Sequence, residues 1–255
     1  MDKYTDKVIY TPRDSGRNMP VMIGLSGLIH HTEKTRFDRL FEKMTNENRI
    51  VGIRFNFPGI SMEQSAIRCE LDFDKYLSCF SELMQGVIKS PFYNPERIGI
   101  ISSSISAAVT GQYLANSEHK PKAFASISPL YGWDAFLNPE KRNAILQSGN
   151  DFNLPGYGLR RYIPASHVPA LQKINCLEAI KRRSEAKKTE IMTLIGADDD
   201  VVSIRALFEY HFALQQDKKG LETFPKIGHD IPENISNPLL EKFFTEHLLS
   251  QPKAL

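Results

Sequence analysis

Short runs of β-branched and apolar residues alternate along this chain with stretches whose apolar residues recur every three or four positions, and that alternation leaves few folds open. Val21-Met22-Ile23-Gly24-Leu25, Ile50 to Phe57, Ile98 to Ile101, Ala123 to Ser128 and Ile191 to Ile195 read as strands. Val8-Ile9-Tyr10 is a further strand at an edge, and Leu221-Glu222-Thr223-Phe224 is a short last one. Between them, Phe37, Leu40, Phe41 and Met44 mark one helix, with Thr35 and Asp38 as its cap pair. Phe73, Leu77, Phe80, Met84 and Ile88 mark a longer helix ending near Pro91, and helix-competent sequence follows Ile105. Leu207, Phe208, His211 and Phe212 mark another helix. A terminal one is expected with Asn237 as cap and Pro238 at its first position. Strands joined through helices pair in parallel and bury both sheet faces, so the class is α/β with a mostly parallel central sheet flanked by helices.

The rhythm fails once, between about residues 131 and 170. This stretch holds Trp133, Pro139, Pro155, Gly156, Gly158, Pro164 and the cluster Tyr157, Arg160, Arg161 and Tyr162. So long an irregular excursion within a domain points to a lid or cap over a binding site. Elsewhere no repeat or linker interrupts the 255 residues, which suit a single domain over 1–255 with the lid inserted into it.

Composition narrows the partners. Lys and Arg number 32 against 30 Asp and Glu, with the signs interspersed, so nothing electrostatic calls for nucleic acid or an anionic membrane. No run is long and apolar enough for a membrane span, and the N-terminus lacks the apolar core of a signal peptide. Cys69, Cys79 and Cys176 are odd in number and form no C-x-x-C pair, which argues for reduced thiols in a cytoplasmic setting and against a zinc site. The expected partner is a small molecule.

The chemistry concentrates at Arg97-Ile98-Gly99-Ile100-Ile101-Ser102-Ser103-Ser104-Ile105-Ser106-Ala107-Ala108, where an apolar strand runs into small residues that open a helix. Ser104 falls on the bend. A serine there is held in a strained backbone with its hydroxyl exposed, and the residues two before and two after must be small; here they are Ser102 and Ser106. A serine hydroxyl is a poor nucleophile at neutral pH and needs a histidine to take its proton, with a carboxylate to orient that histidine. Asp198, Asp199 and Asp200 follow the strand ending at Ile195, and His229 follows the last short strand. Each candidate thus leaves the carboxyl end of a strand, where sites in open α/β sheets collect.

Over nearly its whole length the chain resembles the α/β-hydrolase superfamily, on Val21 to Leu28, Ile98 to Ala107, Gly196 to Val202 and Gly228-His229-Asp230, with its acid and base in the order Ser, Asp, His. Gly196-Ala197-Asp198-Asp199-Asp200-Val201-Val202-Ser203 and the Tyr/Arg-rich insert look like the small cinnamoyl (feruloyl) esterases. Ile98 to Ser106 and His229-Asp230-Ile231-Pro232-Glu233-Asn234 are similar to the myristoyl-acyl-carrier-protein thioesterases of bacterial luminescence.

The family pattern G-x-x-D-x-x-V places the acid on Asp199 and the base on His229 rather than His119, His167, His211 or His247. It also implies an oxyanion hole from the backbone N–H groups of Ile105 and Leu28. The chain departs from the family where Ser26-Gly27-Leu28 stands for His-Gly-aromatic, at Asn56 where relatives commonly carry Asp, and in the missing elbow glycines. The resemblance implies a serine hydrolase acting on a carboxylic ester or an acyl thioester through an acyl-enzyme, the ester slightly favoured, without metal or cofactor. A long-chain acyl thioesterase or acyl transferase is the alternative, and a non-catalytic ligand-binding protein on the same scaffold is the rival from another class.

Overall fold

The computed structural model describes residues 7–13, 16–27, 37–57, 60–63, 66–69, 72–136, 139–148, 152–154, 160–163, 168–182, 189–214 and 220–250. Its elements run β1 (Lys7–Tyr10), β2 (Met19–Leu25), α1 (Asp38–Asn48), β3 (Val51–Phe55), β4 (Ile60–Glu63), β5 (Ala66–Cys69), α2 (Phe73–Lys89), β6 (Tyr93–Ser103), α3 (Ser106–Asn116) and β7 (Ala123–Ile127). They continue through a single 3-10 turn (Trp133–Ala135), α4 (Pro139–Ser148), β8 (Phe152–Leu154), β9 (Arg160–Ile163), α5 (Val168–Lys173), α6 (Leu177–Arg182), β10 (Glu190–Gly196), α7 (Ile204–Leu214), β11 (Leu221–Phe224) and α8 (Glu233–Leu249).

Seven strands form one sheet in the order β1-β3-β2-β6-β7-β10-β11. Only the edge strand β1 is antiparallel to its neighbour; the other pairings are parallel. Side chains alternate along each strand between two apolar layers. In β2, Val21, Ile23 and Leu25 join a core with α2, α3, α6 and α7, through Phe80, Met84, Val109, Leu177 and Leu207 among others. Met22 faces the opposite way, into a layer built from Phe37, Leu40, Phe41 and Met44 at α1 and from Leu240, Phe243, Phe244 and Leu248 of α8. Both faces are therefore covered, which is why the strands read as continuous apolar runs.

Local signals set several boundaries and mislead at two. Asp72 caps α2, its carboxylate accepting the Lys75 N–H at 3.0 Å. Asp38 does not cap α1. The helix starts there without a side-chain cap, and the carboxylate instead takes both oxygens to Arg54 Nη1 of β3, at 3.1 and 2.8 Å, in a buried ion pair. Thr35, the other half of the expected cap, lies outside the described residues. Burial and a hydrogen bond to the same Asp38 raise the Tyr10 phenol well above its ordinary value. At the other end of the chain α8 begins a turn before Pro238. The Ile235 and Ser236 N–H groups both bond to the Pro232 carbonyl, and Pro238 lies inside the helix as its sixth residue, where its missing N–H removes the i→i−4 bond to the Asn234 carbonyl. Asn237 Oδ1 is buried without a hydrogen-bond partner among the described residues, so it caps nothing.

The stretch 131–170 is not irregular throughout. Its first residues are stitched into the main body: Gly132 bridges to Asn175, Phe136 bridges to Val202, and Tyr131, Trp133, Ala135 and Phe136 are buried. Farther on, β8 and β9 complete a second, four-stranded sheet in the order β4-β5-β9-β8. The parallel pairing of β5 with β9, Ala66 against Arg160 and Arg68 against Tyr162, joins the insert to the segment that follows β3. None of the four strands of this sheet was expected from the residue pattern.

Candidate active site

The bend after β6 has the backbone that the small flanking residues anticipate. Ser104 has φ +54, a left-handed conformation that a residue with a Cβ seldom adopts, and its side chain is only partly buried. Its peptide is gripped from both sides, the Ser104 N–H donating to the Ile127 carbonyl and the Ser104 carbonyl accepting the Leu130 N–H, each at 3.0 Å. Ser106, standing where a glycine is usual, turns its hydroxyl inward. Its Oγ accepts the Ser103 N–H at 2.8 Å and lies 2.8 Å from the carbonyls of Leu25 and Ser103, either of which takes its proton. The larger residue is accommodated because it stitches the turn to β2. Ile105 follows Ser104 directly, and its N–H has no backbone acceptor among the described residues. Helix α3 starts one residue on, so the positive end of its dipole points at this position.

Asp199 lies in the turn after β10. One carboxylate oxygen accepts the Val201 and Val202 N–H groups at 2.9 and 2.8 Å, and the other lies 2.9 Å from His229 Nδ1. The side chain is fully buried, whereas Asp198 and Asp200 are exposed, so of the three neighbouring carboxylates only Asp199 meets the histidine. His229 follows β11, 7% exposed, and its Nε2 lies 3.0 Å from Ser104 Oγ. Ser104, His229 and Asp199 therefore form one continuous line of hydrogen bonds.

Gly196, the last residue of β10, makes this meeting possible. A Cβ built there would lie 2.1 Å from the Gly228 carbonyl and 2.5 Å from that of Ile227, so only glycine lets the loop bearing His229 cross the loop bearing Asp199. The two loops are tied at that crossing by the Asp198 N–H, which donates to the Ile227 carbonyl at 3.0 Å. The other histidines serve elsewhere or fall outside the described residues. His211 is buried against Thr193, its Nδ1 2.9 Å from Oγ1, and His247 packs edge-on to Phe243. His30, His31 and His167 are not among the described residues.

Beside Ser104 runs Ser26-Gly27. A Cβ on Gly27 would come within 3.2 Å of both Ser104 Cβ and the Ser103 carbonyl, which brings this loop directly beside the serine. Leu28 itself lies outside the described residues. Asn56, just past β3, is buried with its Oδ1 unpartnered among the described residues; an amide there avoids the far larger cost of burying an unpaired carboxylate. One contact escapes a reading of the residues alone. Ser128, with φ +44 at the end of β7, donates its hydroxyl to the His229 carbonyl at 2.6 Å. Its only trace in the sequence is a polar residue between an apolar strand and Pro129.

No protein-family model matches the chain. No curated protein matches it either. Solved structures do. Est1E from Butyrivibrio proteoclasticus, also solved with ferulic acid bound, superposes with a TM-score of 0.69 over 98% of this chain and 97% of its own, at 15% identity. A monoacylglycerol lipase from Paleococcus ferrophilus gives 0.69 over 95% and 99% at 12% identity. Acetyl xylan esterase 1 from Thermoanaerobacterium gives 0.63 over 96% and 79% at 12%. With its strand order, its covered parallel sheet and these neighbours, the chain has the α/β-hydrolase fold.

Proposed function

We propose that the chain is a serine hydrolase that cleaves a carboxylic ester or an acyl thioester through an acyl-enzyme intermediate. The observation that carries this reading is the bridging position of His229, 3.0 Å from the Ser104 hydroxyl on one side and 2.9 Å from the Asp199 carboxylate on the other. With the Nδ1 proton donated to Asp199, Nε2 is free to accept the Ser104 proton as Oγ attacks the acyl carbon. The Ile105 N–H, backed by the α3 dipole, stabilises the resulting oxyanion, and the Leu28 N–H is the expected second donor. Collapse of the tetrahedral species breaks the bond to the leaving alcohol or thiol, which takes the proton from Nε2. Water, deprotonated by His229, then releases the acid and restores Ser104. The protons balance within these side chains, so the scheme calls for no metal or cofactor.

Oxygen esters are the favoured substrates within this reading, supported by neighbours named as an acetyl xylan esterase and a monoacylglycerol lipase. Residues 131–170, continued by the small second sheet, shape the acyl or alcohol pocket of a single-domain enzyme acting on a small cytoplasmic substrate. A fluorophosphonate probe tests the proposal. Labelling at Ser104 that is abolished in Ser104→Ala and reduced in His229→Ala supports it; absence of labelling in the folded protein overturns it in favour of a ligand-binding protein. A panel pairing oxygen esters with thioesters, from short chains through cinnamoyl to long chains, then assigns the substrate class, and a preference for long acyl thioesters overturns the ester assignment.

A further inference from the structure

We infer that Ser128 is a positioning residue that fixes His229 against Ser104, and that the four residues 127–130 act as the ruler between nucleophile and base. The Ile127 carbonyl accepts the Ser104 N–H and the Leu130 N–H donates to the Ser104 carbonyl. Between those two points the Ser128 hydroxyl donates to the His229 carbonyl at 2.6 Å, and the Ser128 N–H donates to Leu194 of β10, the strand that delivers Asp199. One short segment thus holds the peptides of the nucleophile and of the base, and is itself bonded to the acid's strand.

The backbone of Ser128 gives the reason to read this as more than packing. Its φ of +44 is strained for any residue with a Cβ, and glycine would adopt it freely. A serine in that conformation keeps the strain and gains only what its hydroxyl does. Ser128 is 1% exposed, so its hydroxyl is shut off from bulk water and is satisfied by the carbonyl it meets. The carbonyl belongs to the residue whose ring must stay within hydrogen-bond distance of Ser104 Oγ, and small displacements at such a contact carry large kinetic consequences.

The effect on rate rests on the serine-hydrolase reading, so the test needs a measurement that does not. Ser128→Gly removes the hydroxyl while relieving the strain, and Ser128→Ala removes it while keeping the strain. In both, the low-field proton resonance of the His229 Nδ1–H is expected to shift or broaden relative to the unaltered protein. Fluorophosphonate labelling of Ser104 is expected to slow by roughly ten- to a hundredfold, and kcat for an aryl ester to fall by a similar factor with KM unchanged. Thermal stability separates the two variants, Ser128→Gly melting at or above Ser128→Ala although both lose activity. A Ser128→Gly protein with an unmoved resonance and unaltered labelling overturns the inference and leaves the hydrolase reading standing. If the unaltered protein does not label but the resonance moves in both variants, the positioning role stands and the hydrolase reading falls.

Discussion

The two sheets of this molecule are held together in different ways. The inner strands of the seven-stranded sheet are apolar on both faces, and their register is set by two buried layers, so a slip of one residue would exchange the layers. Ser104, Asp199 and His229 all leave the carboxyl ends of strands in this sheet, β6, β10 and β11. The four-stranded sheet is built from strands of three and four residues drawn from two distant segments, with Arg68, Arg160 and Arg161 among them, and supplies none of the three. Ser104 and Asp199 leave the buried ends of inner strands, and His229, itself 7% exposed, leaves the edge strand β11. The smaller sheet is free to differ without disturbing them.

That contrast can be broken or sharpened by substitution. The largest effect is expected in the large sheet at Ser104→Ala, which should lower kcat by about a millionfold while the protein folds normally, measured as ester turnover alongside circular dichroism. Asp199→Asn should leave the geometry in place but favour the wrong histidine tautomer, costing about 10⁴-fold in kcat. Asp38→Ala tests the same sheet by stability rather than activity: it removes the carboxylate that pairs with the buried Arg54 guanidinium and should cost about 3–5 kcal/mol in denaturant unfolding. Gly196→Ala should press the crossing loops apart and slow labelling of Ser104 by roughly a hundredfold. The smallest effect on the chemistry is expected in the small sheet. Replacing 152–163 by a short flexible linker should leave fluorophosphonate labelling intact while raising KM for bulky esters. A loss of labelling there would contradict the division of labour between the two sheets.

Legibility followed the same division. The strands of the large sheet are visible in the sequence because a buried parallel strand must be apolar along its whole length, as in Val21 to Leu25 and Ile191 to Ile195. Strands such as Ile60–Glu63 and Arg160–Ile163 mix apolar and charged residues over a single turn's length, and their pairing depends on a partner far away in the chain. Local rules also yielded to tertiary ones at Asp38, where a carboxylate suited to capping α1 is drawn to Arg54, and at α8, which starts before the Asn-Pro pair that resembles a start signal.

The residues by themselves determined the α/β class, the strands of the large sheet, and a serine, a histidine and a run of three aspartates able to share a proton, because periodicity and residue chemistry are local properties. Only the tertiary structure decided which of three adjacent aspartates meets His229, that Gly196 must lack a side chain where two loops cross, and that Ser128 holds the histidine's peptide. Those outcomes depend on distances between segments remote in sequence, and such distances exist only once the sheet has brought its carboxyl ends to one edge.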